Sequence, residues 1–186
     1  MSASNDRLAA WTEAELGVAG RVREVVRAPA PVLSADGDKV DPTDPEVVQL
    51  AADLVATMRV SPGCVGLAAP QVGVGAKVFC VDVSEHPKTR GHHGTFVLCN
   101  AEVVESSRNE KAREGCMSVP DFTGDVKRAS RVLVRGQLPG TGEEIEVRAE
   151  AFEARCLQHE IDHCDGFLFL DRVAGAHAVY ARQTYL

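Results

Sequence analysis

Apolar residues recur at helical spacing in two stretches of the chain. Over 47–58 they fall every three or four positions, and Pro45 stands where the first turn of a helix would begin. Thr43 or Asp44 can cap this helix through a side-chain oxygen. A second helix is predicted over about 149–164. Each helix has one apolar face, which must pack against a core.

Residues typical of β-strands occupy the regions between and after these helices. The runs 77–83 and 95–104 are rich in valine and other strand-forming residues. The runs 131–137 and 143–148 flank a Pro-Gly turn and predict an antiparallel hairpin, and a short apolar run over 166–170 predicts a last strand. Because helices and antiparallel strands are segregated along the chain, we predict an α+β fold. It should form a single compact domain, with antiparallel β-sheets packed around the second helix.

The first 40 residues lack both patterns. Residues 1–20 show little apolar stripe and predict an N-terminal appendage that is weakly ordered or helical. The Pro-rich stretch 22–40 predicts an extended segment packed on the body of the domain. The N-terminal residues contain no apolar signal core, and no apolar run is long enough to span a membrane. We therefore expect a cytoplasmic protein that does not associate with membranes.

Charge and cysteine content narrow the chemistry. The net charge of −7 argues against direct nucleic-acid binding, which needs a basic face. None of the six cysteines forms a CxxC pair, so the signatures of zinc ribbons and thioredoxin-like motifs are missing. A chain of this length with a well-patterned core does not need a disulfide framework. The cysteines are therefore expected to be reduced thiols, core residues or metal ligands.

The second predicted helix contains the pattern HExxH. His159 and His163 are four residues apart and so lie on one helix face, where both imidazoles can bind one divalent ion. Glu160 lies between them and can reach a water molecule at that ion. A catalytic metal centre usually has three protein ligands, so these two histidines are an incomplete set.

The third ligand is expected from an upstream part of the chain. No glutamate follows Glu160, and Phe169 occupies the place of the third histidine in the pattern HExxHxxGxxH. Cys156 is on the same helix but roughly 10 Å along it from His163, too far for one shared ion. Cys116 is the best upstream candidate, because it follows a glycine at the edge of a loop.

The remaining cysteines and histidines are expected to have other roles. Cys80 and Cys99 lie within strand-like runs and read as core residues, and Cys164 points away from the predicted metal-binding helix face. The histidines of the polar loop are expected to be solvated rather than ligands, namely His86, His92 and His93.

Three motifs of the chain resemble those of the peptide deformylase family. They are GLAAPQ at 66–71, EGCMS at 114–118 and QHEIDH at 158–163, and they occur in the family's order. With the intervening spacing, the resemblance covers about 32–173. It implies a compact α+β fold around the HExxH helix, with residues 21–186 forming the catalytic domain.

The resemblance implies a metal centre and a reaction. Cys116, His159 and His163 would bind one divalent ion, with Fe²⁺ expected first and Zn²⁺, Ni²⁺ or Co²⁺ as substitutes. A metal-bound hydroxide would attack the formyl group of an N-terminal formyl-methionine. Glu160 would act as general base and then as general acid toward the leaving amine. The implied substrates are N-formylmethionyl nascent polypeptides, met near the ribosome.

The resemblance also implies donors for the transition state and a substrate pocket. The side-chain amide of Gln71 and the backbone N–H of Met117 would stabilise the developing oxyanion. Four residues are expected to bind the substrate, with an apolar slot for the methionine side chain: Val65, Gly66, Phe152 and Cys156.

The chain departs from the family at one position, and two other functions remain open. Cys64 stands where the family's first motif normally opens with glycine, so its side chain can displace the peptide or add an oxidisable thiol. One alternative function is an HExxH endopeptidase that cleaves internal peptide bonds. The other is a catalytically degenerate homologue that binds metal without turnover.

Overall fold

The computed structural model describes the backbone of residues 3–183 and the side chains of residues 6–183. Three α-helices and six strands make up the fold of the described residues. The helices are α1 (Ala3–Ala10), α2 (Pro45–Val60) and α3 (Ala151–Cys164). The strands are β1 (Gly66–Ala68), β2 (Val78–Val81), β3 (Phe96–Cys116), β4 (Val119–Gln137), β5 (Glu144–Glu150) and β6 (Val179–Ala181). Within residues 3–183, no helix is both long enough and apolar enough to cross a bilayer.

All strand pairs are antiparallel and belong to one sheet. Its order is β1-β2-β3-β4-β5, and β6 pairs with β4 beside this path. The main core is formed by the apolar faces of α2 and α3 and by buried residues of the strands. The predicted α+β class is confirmed, since helices and antiparallel strands form separate parts of one compact domain.

The predicted helices are confirmed, with small shifts at their ends. The hairpin is also confirmed, but its first strand, β4, begins at Val119 rather than at 131. The side chain of Asp44 caps α2 by accepting a hydrogen bond from the N–H of Glu46 (2.8 Å), and Pro45 is the first helical residue. The hairpin pairs Gln137 with Glu144 and continues to Arg131 opposite Glu150.

Two strand predictions need correction. Residues 166–170 form no strand, and a short 3₁₀ turn follows over Phe169–Asp171. The Asp171 carboxylate accepts the N–H of Leu168 (2.7 Å), which closes this turn locally. β3 continues to Cys116, well beyond the predicted 95–104. Its second half is polar and exposed, so no apolar alternation marks it, and pairing with β4 holds it extended.

The N-terminal segment is held more firmly than its pattern predicts. A helix is present as α1, but Leu8, Trp11 and Leu16 are buried in the main core. The expectation that this segment has little apolar surface to bury is therefore wrong for these three residues, whereas α1 agrees with the helical alternative. Residues 1–2 of the predicted appendage, and 184–186 of the predicted catalytic domain, lie outside the described residues.

Candidate metal centre and active-site cavity

Three potential metal ligands converge where α3 meets the end of β3. Ligand atoms of Cys116, His159 and His163 all lie within 4.8 Å of one another. The Sγ of Cys116 is 3.2 Å from Nε2 of His163, and the two imidazole rings lie 4.9 Å apart. Cysteine and histidine are the ligands that Zn²⁺ and Fe²⁺ accept, and these separations are within reach of one shared ion. The structure thus brings together all three residues that the sequence suggested as ligands.

A short hairpin turn positions Cys116. The register of β3 with β4 shifts between Gly115 and Cys116, so the last residue of β3 pairs with Val119, the first residue of β4. Its side chain packs with buried Phe169 and its neighbours in a small second cluster. This packing holds the thiol in place against α3. A cysteine in a mobile loop would have no such support.

Glu114 supports the histidine that lies nearest the cavity. Its Oε2 lies 3.0 Å from Nδ1 of His159, which leaves Nε2 of that ring for a ligand. Arg128 donates two hydrogen bonds to the same carboxylate (2.7 and 3.0 Å), and Arg155 donates a third (2.7 Å). Glu114 is buried, and although burial opposes its ionisation, His159 and Arg128 hold its pKa well below the ordinary value.

This ionic network continues across α3. Arg128 also donates to Asp162 (2.7 Å), and Arg172 donates to the other oxygen of that carboxylate (2.7 Å). Each charge of this network therefore faces an opposite charge. The sequence pattern named Glu114 only as part of a motif. It carried no signal for the arginines, because their acidic partners lie in two separate elements, β3 and α3.

The electrostatics of the site favour an ionised thiol at Cys116 and a carboxyl group at Glu160 that can exchange a proton. Burial opposes ionisation of Cys116, but the attraction of His163 and hydrogen bonds with both histidines hold the pKa of the thiol well below its ordinary value. Burial raises the pKa of the Glu160 carboxyl to about 7. The buried Oε2 of Glu160 has no hydrogen-bond partner among the described residues. An orphaned carboxylate oxygen beside this ligand set fits a centre that holds a metal ion and water.

Gln71 lies against the same centre. Its Oε1 accepts the N–H of Ala68 (3.0 Å), which orients the amide. The Nε2 then lies 3.4 Å from Sγ of Cys116 and 3.3 Å from Oγ of Ser118. The extended segment after residue 20 supports the motif at 66–71, since the N–H of Val26 donates to the carbonyl of Gln71 (2.8 Å). The amide N–H₂ group is thus directed at the ligand cluster.

A cavity of about 270 Å³ opens beside the ligands. Glu160 and Gln71 line this cavity. So do the other residues to which the sequence assigned a role in binding the substrate or the oxyanion, namely Val65, Gly66, Met117, Phe152 and Cys156. A Cβ on Gly66 would meet Oε1 of Glu160 at 2.5 Å and Sγ of Cys156 at 2.9 Å. The glycine is therefore required at this position for close approach to the glutamate.

Cys64 also lines the cavity. Its thiol donates to the carbonyl of Gly66 (3.1 Å), and burial raises its pKa to about 12. The thiol therefore remains protonated and acts as a polar wall rather than as a nucleophile.

Two histidines of the polar loop are not solvated as expected. The ring of His86 stacks on Phe152 at a centroid distance of 3.9 Å and lines the cavity. His93 places its Nδ1 and its N–H each 2.9 Å from the carboxylate of Glu153, a buried residue in the first turn of α3. The loop is therefore held by α3 and adds one aromatic wall to the cavity. Only the tertiary contacts with α3 reveal this, because the loop sequence itself is polar.

The chain is similar to a family of known enzymes over most of its length. The sequence model of the polypeptide deformylase family matches residues 22–178. Peptide deformylase from Halothermothrix orenii is 43% identical over 143 residues, which cover 77% of this chain and 88% of that protein. Peptide deformylase from Desulforudis audaxviator is 41% identical over 163 residues, which cover 87% and 98%.

A solved structure shares the same fold. It is the class I type b peptide deformylase from Acinetobacter baumannii with bound Met-Ala-Ser. It superimposes with a TM-score of 0.75 at 34% identity, and the match covers 82% of this chain and 100% of that one.

Proposed function

The chain belongs to the peptide deformylase family, and we propose that its Cys116, His159 and His163 hold the metal ion with which the enzyme removes formyl groups from N-terminal formyl-methionine. Members of the family are metal-dependent enzymes. The observation that carries the proposal is the cavity lined by Cys116, His159, Glu160 and Gln71. Buried His163 adjoins it, with Nε2 3.2 Å from Sγ of Cys116.

The donor set fits one divalent ion. We propose Fe²⁺, with Zn²⁺, Ni²⁺ or Co²⁺ as substitutes, because a thiolate with two imidazoles suits all of these metals. When bound, the ion supplies Lewis acidity, which activates water and polarises the formyl carbonyl. Glu114 orients His159 for this role through the bond to Nδ1.

Glu160 moves the proton in the reaction. Its carboxylate accepts a proton from the attacking water, whose oxygen adds to the formyl carbon. It then delivers that proton to the methionine nitrogen as the C–N bond breaks, so that formate and a free amine leave. A buried carboxylate with a raised pKa exchanges a proton readily near neutrality.

Two donors of the chain stabilise the charge that develops on the formyl oxygen. Nε2 of Gln71 lies beside the ligand cluster, and the backbone N–H of Met117 follows Cys116 in the turn between β3 and β4. Both are held by their surroundings before the substrate binds, so little reorganisation is needed during the reaction.

The apolar part of the cavity is proposed to hold the methionine side chain. Val65, Phe152 and Cys156 line it beside Gly66, and the relative from Acinetobacter baumannii binds Met-Ala-Ser. His86, stacked on Phe152, closes one side. The substrates are proposed to be nascent polypeptides near the ribosome in the cytoplasm, where formylated chains are made.

Replacing Phe152 with alanine should lower kcat/KM for formyl-Met-Ala-Ser by roughly 10- to 100-fold. The substitution removes the aromatic wall of the pocket, and burial of a side chain of methionine's size contributes about 1.5–3 kcal/mol. Metal content should stay at the wild-type level, since Phe152 is not one of the proposed metal ligands. Steady-state kinetics with metal analysis checks this. Unchanged kinetics in a folded variant would remove Phe152 from the pocket.

The proposed reaction is tested with the anaerobically purified, metal-analysed enzyme. Formate release from formyl-Met-Ala-Ser should be rapid, whereas acetyl-Met-Ala-Ser and internal peptide bonds should remain intact. Cleavage of internal bonds would instead indicate an endopeptidase. Metal binding without any turnover would indicate a degenerate homologue.

A further inference from the structure

A basic side chain near the end of the chain reaches the active-site cavity. β6 pairs with β4, and just beyond it the N–H of Arg182 donates to the carbonyl of Asp121 (2.8 Å). This pairing directs the Arg182 side chain into the cavity wall. A Cβ on Gly115 would collide with the guanidinium, so the cation lies directly over the residue that precedes Cys116.

Basic side chains outnumber carboxylates in the cavity wall, although the chain as a whole has a net charge of −7. Two of them have acidic partners, since Arg155 pairs with Glu114 (2.7 Å) and Arg113 pairs with Asp125 just outside the wall (2.7 Å). The two carboxylates of the wall have tasks inside it: Glu114 is bonded to Arg155 and Arg128, and Glu160 is the proposed base. The four cations of the wall are Lys88, Arg113, Arg155 and Arg182. A basic side chain in the wall of a cleft favours ligands of the opposite sign.

In the proposed binding mode, the later residues of the peptide lie near Arg182. This step rests on the proposed function, in which the formyl group lies at Cys116 and the methionine side chain lies against Phe152. The rest of the peptide must then leave through the remaining part of the same cavity, whose wall includes Arg182. A formylated N-terminus has no charge, so the charge of the bound segment comes from its side chains.

We propose that Arg182 is a specificity-determining residue that binds an acidic side chain of the substrate, located after the formyl-methionine. A guanidinium presents parallel N–H donors that match the two oxygens of a carboxylate. The positive charge of Arg182 itself repels a lysine or arginine at the same place. The enzyme should therefore distinguish formyl-methionyl chains by the charge of the residues that follow.

The test compares amidated peptides, which lack a terminal carboxylate. Formyl-Met-Ala-Asp-amide, formyl-Met-Ala-Ser-amide and formyl-Met-Ala-Lys-amide are assayed, with a second set that carries the varied residue directly after methionine. In at least one set, kcat/KM of the wild type should be about three- to ten-fold higher for Asp than for Lys at low salt, as expected for partly exposed charge pairs. The ratio should fall toward 1 in high salt.

Three variants separate a charge effect from a structural effect. Arg182→Gln should lose most of the Asp/Lys ratio, while Arg182→Lys should retain it. Arg135→Gln, an exposed arginine of β4 that pairs with Glu146 (3.0 Å), should keep the wild-type rates and ratio. The ratio is the readout, because partial unfolding lowers all rates together.

Each failure has its own signature. If the wild type hydrolyses all the peptides with equal kcat/KM, or if Arg182→Gln keeps the ratio, the assignment of Arg182 is wrong and the deformylase function stands. If the wild type hydrolyses no formylated peptide, the proposed function fails, and this specificity fails with it.

Discussion

Replacing Glu160 with alanine should lower kcat for deformylation by about 10²- to 10⁴-fold, the usual contribution of a positioned acid-base group. Glu160 is buried beside the three ligands, and Oε2 lacks a hydrogen-bond partner among the described residues. No other carboxylate of the cavity wall is available, since Glu114 is held by arginines and by His159. Formate release under saturating substrate measures the loss.

Metal analysis of the same variant distinguishes a lost base from a lost centre. Glu160→Ala should bind metal as the wild type does, because the ligand set of Cys116, His159 and His163 is untouched. Glu150→Gln is the matched control, an exposed carboxylate at the start of the same helix, and it should retain activity. Wild-type turnover by Glu160→Ala would refute the assigned base.

Replacing Glu114 with alanine should reduce the free energy of unfolding by about 3–5 kcal/mol, as expected when one partner of a buried ionic network is removed. Arg128 and Arg155 would keep their charges inside the domain after losing this carboxylate. The loss of the bond to Nδ1 should also free the His159 ring and weaken metal affinity by about 10- to 100-fold. Urea unfolding and metal titration measure the two effects.

A milder variant keeps this prediction testable if the alanine variant does not fold. Glu114→Gln preserves the shape and one acceptor but removes the charge, so it should fold with reduced stability and weakened metal binding. Glu146→Ala is the control, because its pair with Arg135 is only partly buried and ion pairs near the surface contribute about 0–1 kcal/mol. Equal losses from Glu114 and Glu146 would contradict a structural role for the buried network.

The helix that carries the two proposed histidine ligands could be predicted because its information is local. Both histidines and Glu160 lie within one helical turn and a half, so their spacing alone places them on adjoining faces. The local sequence around Cys116 does not indicate which helix the residue contacts. Elimination of other candidates and the EGCMS motif are therefore what predict Cys116. Its position depends on the hairpin of β3 with β4, which is formed over many residues.

In the polar loop, the hydropathy pattern does not predict the contacts that the structure shows. His86 and His93 stand among polar residues, which is typical of a solvated loop. In the structure, Glu153 binds His93 and Phe152 stacks on His86, and both partners lie in the first turn of α3. Such contacts join segments about 60 residues apart, and hydropathy reports only neighbours along the chain.

The sequence by itself determined α2, α3, the hairpin turn before β5 and the HExxH spacing of the proposed ligands, because periodicity and motif spacing act over one element at a time. Only the tertiary structure decided how Glu114 joins Arg128 and His159, and that Arg182 reaches the cavity. These contacts arise from strand pairing and packing between distant segments. The free energy of burying a charge then determines which partners must meet, and no local pattern encodes that choice.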